Sequence, residues 1–417
     1  MSTALRRPRR LALLLCACLA LVVEGRTRVA AQAEARAPGA SQGVPPSLVV
    51  VLVVDQFRAD YVERYGHQWR QGLRRIFDGG AHFTEAAYPY ASTMTCAGHA
   101  TIGTGTLPQT HGLIANAWYD RATARDVVCT EDRTVTNVGY GPNPPRYGDS
   151  SARLAAPTLG DEMRAQLGAA PRIVTMALKA RAAMPLAGQR STLTTWFDGA
   201  RGFVTSPAMG TPGRDPFLAK YLAEHPVEAD TGAVWARRLP AETYLFTDEG
   251  DGEIGMGRRF PHPLSRASGE GQVDAAFYGN WQMSPFADDY LGHLAQAAVG
   301  AFGLGQGART DYLAVSFSAL DVIGHAYGPR SHEVQDTLVR LDDTIGVLLD
   351  LLDKQVGRDH YVLALTGDHG AGPVPEQMRA LGLRAGVIDR KALASAITAV
   401  VGGSLIDSIS GGELYLS

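Results

Sequence analysis

Leu48 to Val54 is a run of seven apolar residues with no polar break, and it stops abruptly at Asp55. A continuous Val-rich run of this length reads as a strand buried on both faces, the kind found in parallel sheets covered by helices. Three more segments share the form: Ile173 to Leu178 before Lys179, Tyr312 to Phe317 ahead of Asp321, and Tyr361 to Leu365 ahead of Asp368. Helical patterns separate them. From His332 to Lys354, the residues Val334, Leu338, Leu341, Ile345, Leu348, Leu349 and Leu352 fall on one stripe. Phe286 to Phe302 is a second helix, with Asp288 and Asp289 in the first turn, where the helix dipole favours acids. Strands alternating with helices predict an α/β fold with a mostly parallel sheet flanked by helices. From about residue 185 to 284 the pattern loosens into Gly, Pro and aromatic residues, and this stretch is expected to be a cap inserted on the main sheet.

In an open sheet of this kind, ligands bind beyond the carboxyl ends of the strands. Four strands that deliver charged residues to that edge therefore predict one shared site. Asp321-x-x-x-His325 sets two metal-ligating side chains one helical turn apart, and Asp368-His369 is an adjacent pair. Oxygen and imidazole ligands of this sort suit zinc, and two clusters suit two zinc ions. Asp-x-x-x-His alone occurs by chance in many proteins, and Asp55 alone reads as a turn or capping residue. Their joint position at the ends of core strands is what points to a site. Thr95 opens the segment Thr95-Cys96-Ala97-Gly98-His99-Ala100 before another helix. A hydroxyl there gains from a metal and from the helix N-terminus, both of which favour developing negative charge. The same residues also fit an ordinary helix start. His99 reads as a core or supporting histidine, since a metal-activated hydroxyl needs no imidazole base.

The start of the chain is a targeting segment. Arg6, Arg7, Arg9 and Arg10 precede an apolar run, Leu11 to Val23, that is short for a membrane span, and Ala30, Ala31 and Ala33 offer cleavage sites. Residues 1–36 are therefore expected to be a signal peptide and the start of a linker, 37–46 a linker, and 47–417 the folded domain, in a periplasmic or secreted protein without a transmembrane helix. Lipoprotein anchoring through Leu15-Cys16-Ala17-Cys18 is the lesser alternative, because the apolar run continues past it. Residues 1–36 hold seven Arg and two Glu, so their removal takes the formal charge from −3 to −8. No basic block remains to suggest nucleic-acid binding. Cys96 and Cys129 are the two cysteines outside that segment, and in an oxidising compartment an even pair reads first as a disulfide.

Strand-Asp55, Thr95-Cys96-Ala97-Gly98-His99-Ala100, Thr104-Gly105, His111-Gly112, Asn116-Ala117-Trp118-Tyr119-Asp120, Asp321-x-x-Gly324-His325 and Gly367-Asp368-His369-Gly370 follow one another in this order. The series resembles the alkaline phosphatase superfamily, and within it the bacterial phosphate-insensitive alkaline phosphatases with a Thr nucleophile. The resemblance runs from about Ser47 to the end. It implies hydrolysis of small phosphate monoesters through a phosphothreonine at Thr95. It implies Asp55, Asp368 and His369 on one Zn2+ together with Thr95, and Asp321 and His325 on a second. Asn116 would contact a phosphoryl oxygen. Lys179 and Arg181 match the pair that separates monoesterases from diesterases, since a terminal phosphate carries an extra negative charge. Lys179 also stands where relatives hold a third ion, so no catalytic Mg2+ is expected.

The family completes its second zinc site with a further His near the C-terminus, and no His follows His369 here. The chain also stops at Glu413-Leu414-Tyr415-Leu416-Ser417, which reads as the beginning of a strand. These two features lead us to expect a piece of a longer protein, with a weakened second site. A phosphodiesterase or nucleotide pyrophosphatase on the same fold is the nearest rival, and a non-catalytic metal- and phosphate-binding protein is the rival from another class. Cys96-Ala97-Gly98 does not fit the C-x-P-x-R setting of a sulfatase.

Overall fold

The main sheet has seven strands: β1 Leu48–Val54, β2 Val138–Gly139, β3 Ile173–Ala177, β4 Leu193–Phe197, β5 Phe203–Thr205, β6 Asp311–Phe317 and β7 Tyr361–Gly367. Their spatial order is β7-β1-β6-β3-β4-β5-β2. The first five in that order run parallel, while β5 is antiparallel to both β4 and β2. The structure is a computed structural model that describes residues 44–417, except 146, 169–170, 211, 251, 266–272, 274–275, 403–404 and 411. The expected signal segment with Cys16 and Cys18, and nearly all of the expected linker, lie outside the described residues. No helix among the described residues is long and apolar enough to cross a membrane.

Two-residue alternation decides which side chains go where. Leu48, Val50, Leu52 and Val54 of β1 join one core cluster, together with Leu313, Val315 and Phe317 of β6. Val51 and Val53, with Tyr312 and Ala314, face the opposite cluster. Helices α3 Pro285–Phe302 and α5 His332–Leu352 cover the first face. On α5 the seven stripe residues from Val334 to Leu352 are all buried there. Helices α1 Thr95–Thr104 and α2 Ala180–Ala187 pack together over the second. At their crossing a side chain on Gly103 would collide with the carbonyl of Pro185, so this position needs glycine.

The stretch expected to be a cap starts later than the sequence pattern suggests. Leu193 to Thr205 supplies β4 and β5 of the main sheet, and between Ser206 and Ala276 the described residues hold a nine-residue helix, Pro216–Glu224, with short helical turns and two-residue strands. Thr194 and Thr195 interrupt the apolar run of β4, yet both are buried. Thr194 is satisfied by the hydroxyls of Thr175 and Ser191 at 3.0 and 2.7 Å. Threonines that pair with each other are sheet residues in disguise. At the other edge β7 has one partner strand, and Val362 is half exposed.

Cys96 and Cys129 are disulfide-bonded across a separation of 33 residues. The bond ties the first turn of α1 to the antiparallel pair Ala117–Asp120 and Arg125–Val128. Replacing both cysteines by alanine should lower unfolding stability by about 4 kcal/mol, the chain-entropy value for a loop of this length. Denaturant unfolding of the variant beside the oxidised parent measures it; equal midpoints would show that the bridge constrains nothing.

Candidate active site and metal centre

Parallel register brings the carboxylates together. Val54 of β1 lies beside Gly367 of β7 and Phe317 of β6, so the next residues along, Asp55 and Asp368, emerge at one level of the sheet edge. Asp321 follows in the first turn of helix α4, Ala319–Tyr327, and His325 stands one turn further on. Lys179 comes two residues beyond β3, and Arg181 lies in the first turn of α2. Helix α1 arrives from the second face with Thr95 as its first residue. It can approach this closely because Gly98 lies against the backbone of Asp368, where any side chain would collide. Met94, not a hydroxyl residue, occupies the helix cap and makes no side-chain cap bond.

Three of the predicted metal ligands converge. Ligand atoms of Asp55, Asp368 and His369 all lie within 4.8 Å of one another. His369 Nδ1 donates to the carbonyl of Gly370 at 2.9 Å, which fixes the ring and turns Nε2 toward the cluster. That Nε2 is 3.3 Å from Asp55 Oδ1, 3.5 Å from Asp368 Oδ2 and 3.3 Å from Thr95 Oγ1. Asp55 and Asp368 are fully buried, yet Asp55 Oδ1 and Asp368 Oδ2 accept no hydrogen bond of acceptable geometry. Two orphaned carboxylate oxygens and a steered imidazole nitrogen form a donor set that fits a divalent cation.

The second predicted pair sits beside the first. His325 Nε2 is 3.2 Å from Asp321 Oδ1, and the ring is 73% exposed while the carboxylate is nearly buried. No third ligand joins these two among the described residues. Between the clusters lies Lys179: its buried ammonium donates to Asp55 Oδ2 at 2.6 Å and to Asp321 Oδ2. Burial disfavours that charge, but the two carboxylates prevail and raise its pKa. Burial likewise opposes ionisation of Asp55, and Lys179 with the nearby imidazoles holds its pKa well below the usual range. Asp368 moves the other way, pushed up by burial and by the Asp55 charge. For His369, burial opposes the charged ring, but the adjacent carboxylates of Asp55 and Asp368 raise its pKa to about 9.

Around this core the other predicted residues fall into supporting positions. Asn116 Oδ1 accepts from the Cys96 amide at 2.9 Å, which sets its side chain against the N-terminus of α1 beside Thr95. The Cys129 amide donates to the Asn116 carbonyl at 3.0 Å, so the disulfide and Asn116 belong to one brace. His99 Nδ1 donates to the Thr95 carbonyl at 2.8 Å and Nε2 accepts from Ser316 Oγ at 2.7 Å. Both ring nitrogens are used in the core, in keeping with a supporting histidine. Arg181 is half-buried with a partnerless Nε. It lines, with Lys179, Asp321 and His325, a cavity of about 420 Å3.

One residue of the site escaped the sequence reading. Gln56 donates its backbone N–H to Asp368 Oδ1 at 3.0 Å and its side-chain amide to Asp321 Oδ1 at 2.8 Å, stitching the two clusters. It adopts φ 67°, an uncommon left-handed conformation for a residue with a side chain. Gly324 leaves the room its carboxamide needs, which explains the glycine in Asp321-x-x-Gly324-His325. The only hint in the sequence is a polar residue placed directly after a strand-ending Asp.

Residues 49–400 match the model of the type I phosphodiesterase / nucleotide pyrophosphatase family. The chain belongs to this family. Within it, the chain is similar to alkaline phosphatase PhoV of Synechococcus elongatus, 33% identical over 346 residues that cover 80% of this chain and 60% of PhoV. Alkaline phosphatase PafA of Elizabethkingia meningoseptica is 31% identical over 332 residues, covering 78% of this chain and 60% of PafA. The chain thus spans 60% of the length of each of these two relatives. The crystal structure of wild-type PafA superposes with a TM-score of 0.81 at 29% identity, covering 90% of this chain and 73% of that one. A PafA structure with one Thr, one Asn, one Lys and one Arg replaced superposes equally well, at 0.81 and 28% identity. The expected alkaline phosphatase-like α/β architecture is therefore the observed one.

Proposed function

We propose that this family member hydrolyses phosphate monoesters at a zinc-dependent site, with Thr95 as nucleophile. The observation that carries the proposal is the placing of the Thr95 hydroxyl, 3.3 Å from His369 Nε2, at the rim of the Asp55–Asp368–His369 cluster and at a helix N-terminus. The four residue types replaced together in the PafA variant are those of Thr95, Asn116, Lys179 and Arg181, which supports treating these four as one working set. Asp55, Asp368 and His369 would hold one zinc ion, and Asp321 with His325 a second. When bound, the ions supply positive charge that lowers the pKa of a hydroxyl or water and offsets charge on the departing oxygen.

The chain's own residues do the rest. Thr95 Oγ1 forms a bond to phosphorus as the bond to the alcohol oxygen breaks; the Thr95 proton goes to solvent and the alcohol takes one up. Water then cleaves the phosphothreonine, restoring the hydroxyl and releasing inorganic phosphate. Asn116, Lys179 and Arg181 meet the phosphoryl oxygens, and α1 turns the positive end of its dipole toward the same charge. The disulfide suits an oxidising compartment and so supports export.

A diesterase reading is the alternative, because the family description names phosphodiesterase and nucleotide pyrophosphatase. Lys179 and Arg181 favour the monoester. Changing both to alanine should lower kcat/KM for p-nitrophenyl phosphate about a hundredfold, and that for bis-p-nitrophenyl phosphate less than tenfold. Because Lys179 also separates two buried carboxylates, Arg181→Ala alone should show the same bias with the fold undisturbed. Equal losses on both substrates would refute the assignment of this pair.

A further inference from the structure

The 420 Å3 cavity extends away from the nucleophile. Lys179, Arg181, Asp321 and His325 form its near wall, while Thr95, Asp55, Asp368 and His369 do not line it. Attacking and leaving oxygens stand roughly in line at a transferring phosphoryl group. The cavity therefore lies on the leaving-group side, and its size is that of a pocket for a small organic molecule.

The rest of its lining is mixed: Tyr147, Asp198, Arg201 and Gln282 stand beside the nearly buried Trp196 and Phe197. Arg201 is presented by a tight turn after β4: the Asp198 amide donates to the Gly202 carbonyl at 2.8 Å, and the Arg201 amide donates to the Asp198 carbonyl at 3.1 Å. Its Nη1 donates to Asp198 Oδ1 at 3.4 Å, while Nε is buried with no partner. Gln282 is anchored by a bond from Nε2 to the Leu178 carbonyl at 3.0 Å. Charge on this wall is matched, Asp198 by Arg201, and Asp149 behind it by donors from Thr130 and Asn137. A second anion would find no uncompensated cation there. An aryl or alkyl group would cover the Asp198 carboxylate and the Gln282 carboxamide and give them nothing in place of water. An alcohol with several hydroxyls supplies both donors and acceptors to such a wall.

We infer that this cavity is a leaving-group subsite selecting phosphate esters of polyhydroxylated alcohols of about monosaccharide size, with Arg201 and Asp198 as the specificity-determining pair. The inference rests on the phosphomonoesterase reading above. Binding to the zinc-loaded Thr95→Ala chain, which should not turn over, tests it by calorimetry with three probes: inorganic phosphate, phenyl phosphate and a hexose 6-phosphate. The hexose ester should bind at least about tenfold tighter than the phenyl ester. Adding Arg201→Met, or Asp198→Asn as a second variant, should erase that preference and leave inorganic phosphate binding unchanged, with circular dichroism confirming the fold. Equal binding of the two esters, or a preference that survives both variants, would overturn the subsite while the phosphoryl site stands. Failure of all three probes, inorganic phosphate included, would sink the phosphatase reading and this inference with it.

Discussion

Thr95→Ala should reduce phosphomonoester turnover by the zinc-loaded chain at least about a thousandfold, with fold and metal content preserved. Thr95 is buried, and its one side-chain hydrogen bond among the described residues is the 3.3 Å contact with His369 Nε2, so alanine removes the hydroxyl and little else. Alanine is also a good residue for a first helical turn, and α1 does not rely on Thr95 as a cap. Thr95→Ser, which keeps the hydroxyl, should retain turnover. Steady-state assays with p-nitrophenyl phosphate, circular dichroism and zinc analysis decide the matter. If the alanine variant turns over at near the parental rate, Thr95 is not the nucleophile. Cys96, the adjacent competing candidate, is held in a disulfide and has no thiolate to offer.

Much of this site was legible because it sits at the ends of strands that the chain writes plainly. β1 is a continuous apolar run and β3, β6 and β7 are mostly apolar, and parallel pairing in register leaves no freedom about where Asp55 and Asp368 meet. Asp321 and His325 were legible for a different reason, the four-residue spacing of a helical turn. The less legible parts depend on long-range partners. β4 conceals itself behind Thr194 and Thr195, whose polarity is satisfied only once Thr175 of β3 and the Val204 carbonyl of β5 stand beside them. Gln56 depends on a left-handed backbone and on space opened by Gly324, 268 positions later; neither leaves a periodic mark. The brace from Cys129 through Asn116 to α1 could be expected as a disulfide, but its grip on Asn116 emerges only in three dimensions.

Zinc should bind in two unequal steps. Asp55, Asp368 and His369 offer three ligands, two of them with oxygens that lack hydrogen-bond partners. Asp321 and His325 offer two, and Asp321 must also release the Lys179 ammonium and the Gln56 amide that now occupy its oxygens. The first step should therefore be the tighter. It should also release protons. Without metal, His369 has a pKa raised to about 9, so near pH 7.5 its ring is charged and a proton must leave before Nε2 can ligate. The sign follows: affinity of the first step should rise about tenfold per pH unit through the neutral range and flatten near pH 9. Chelator competition at several pH values measures this, with calorimetry in buffers of different ionisation enthalpy counting the protons. His369→Ala should weaken the first step at least about a hundredfold and remove its pH dependence, since even indirect supports of a metal ligand are worth that much. His325→Ala should touch only the second step. A pair of equally tight zinc ions, indifferent to His325→Ala, would mean that the second ion sits elsewhere, and the assignment of Asp321 and His325 would have to be abandoned.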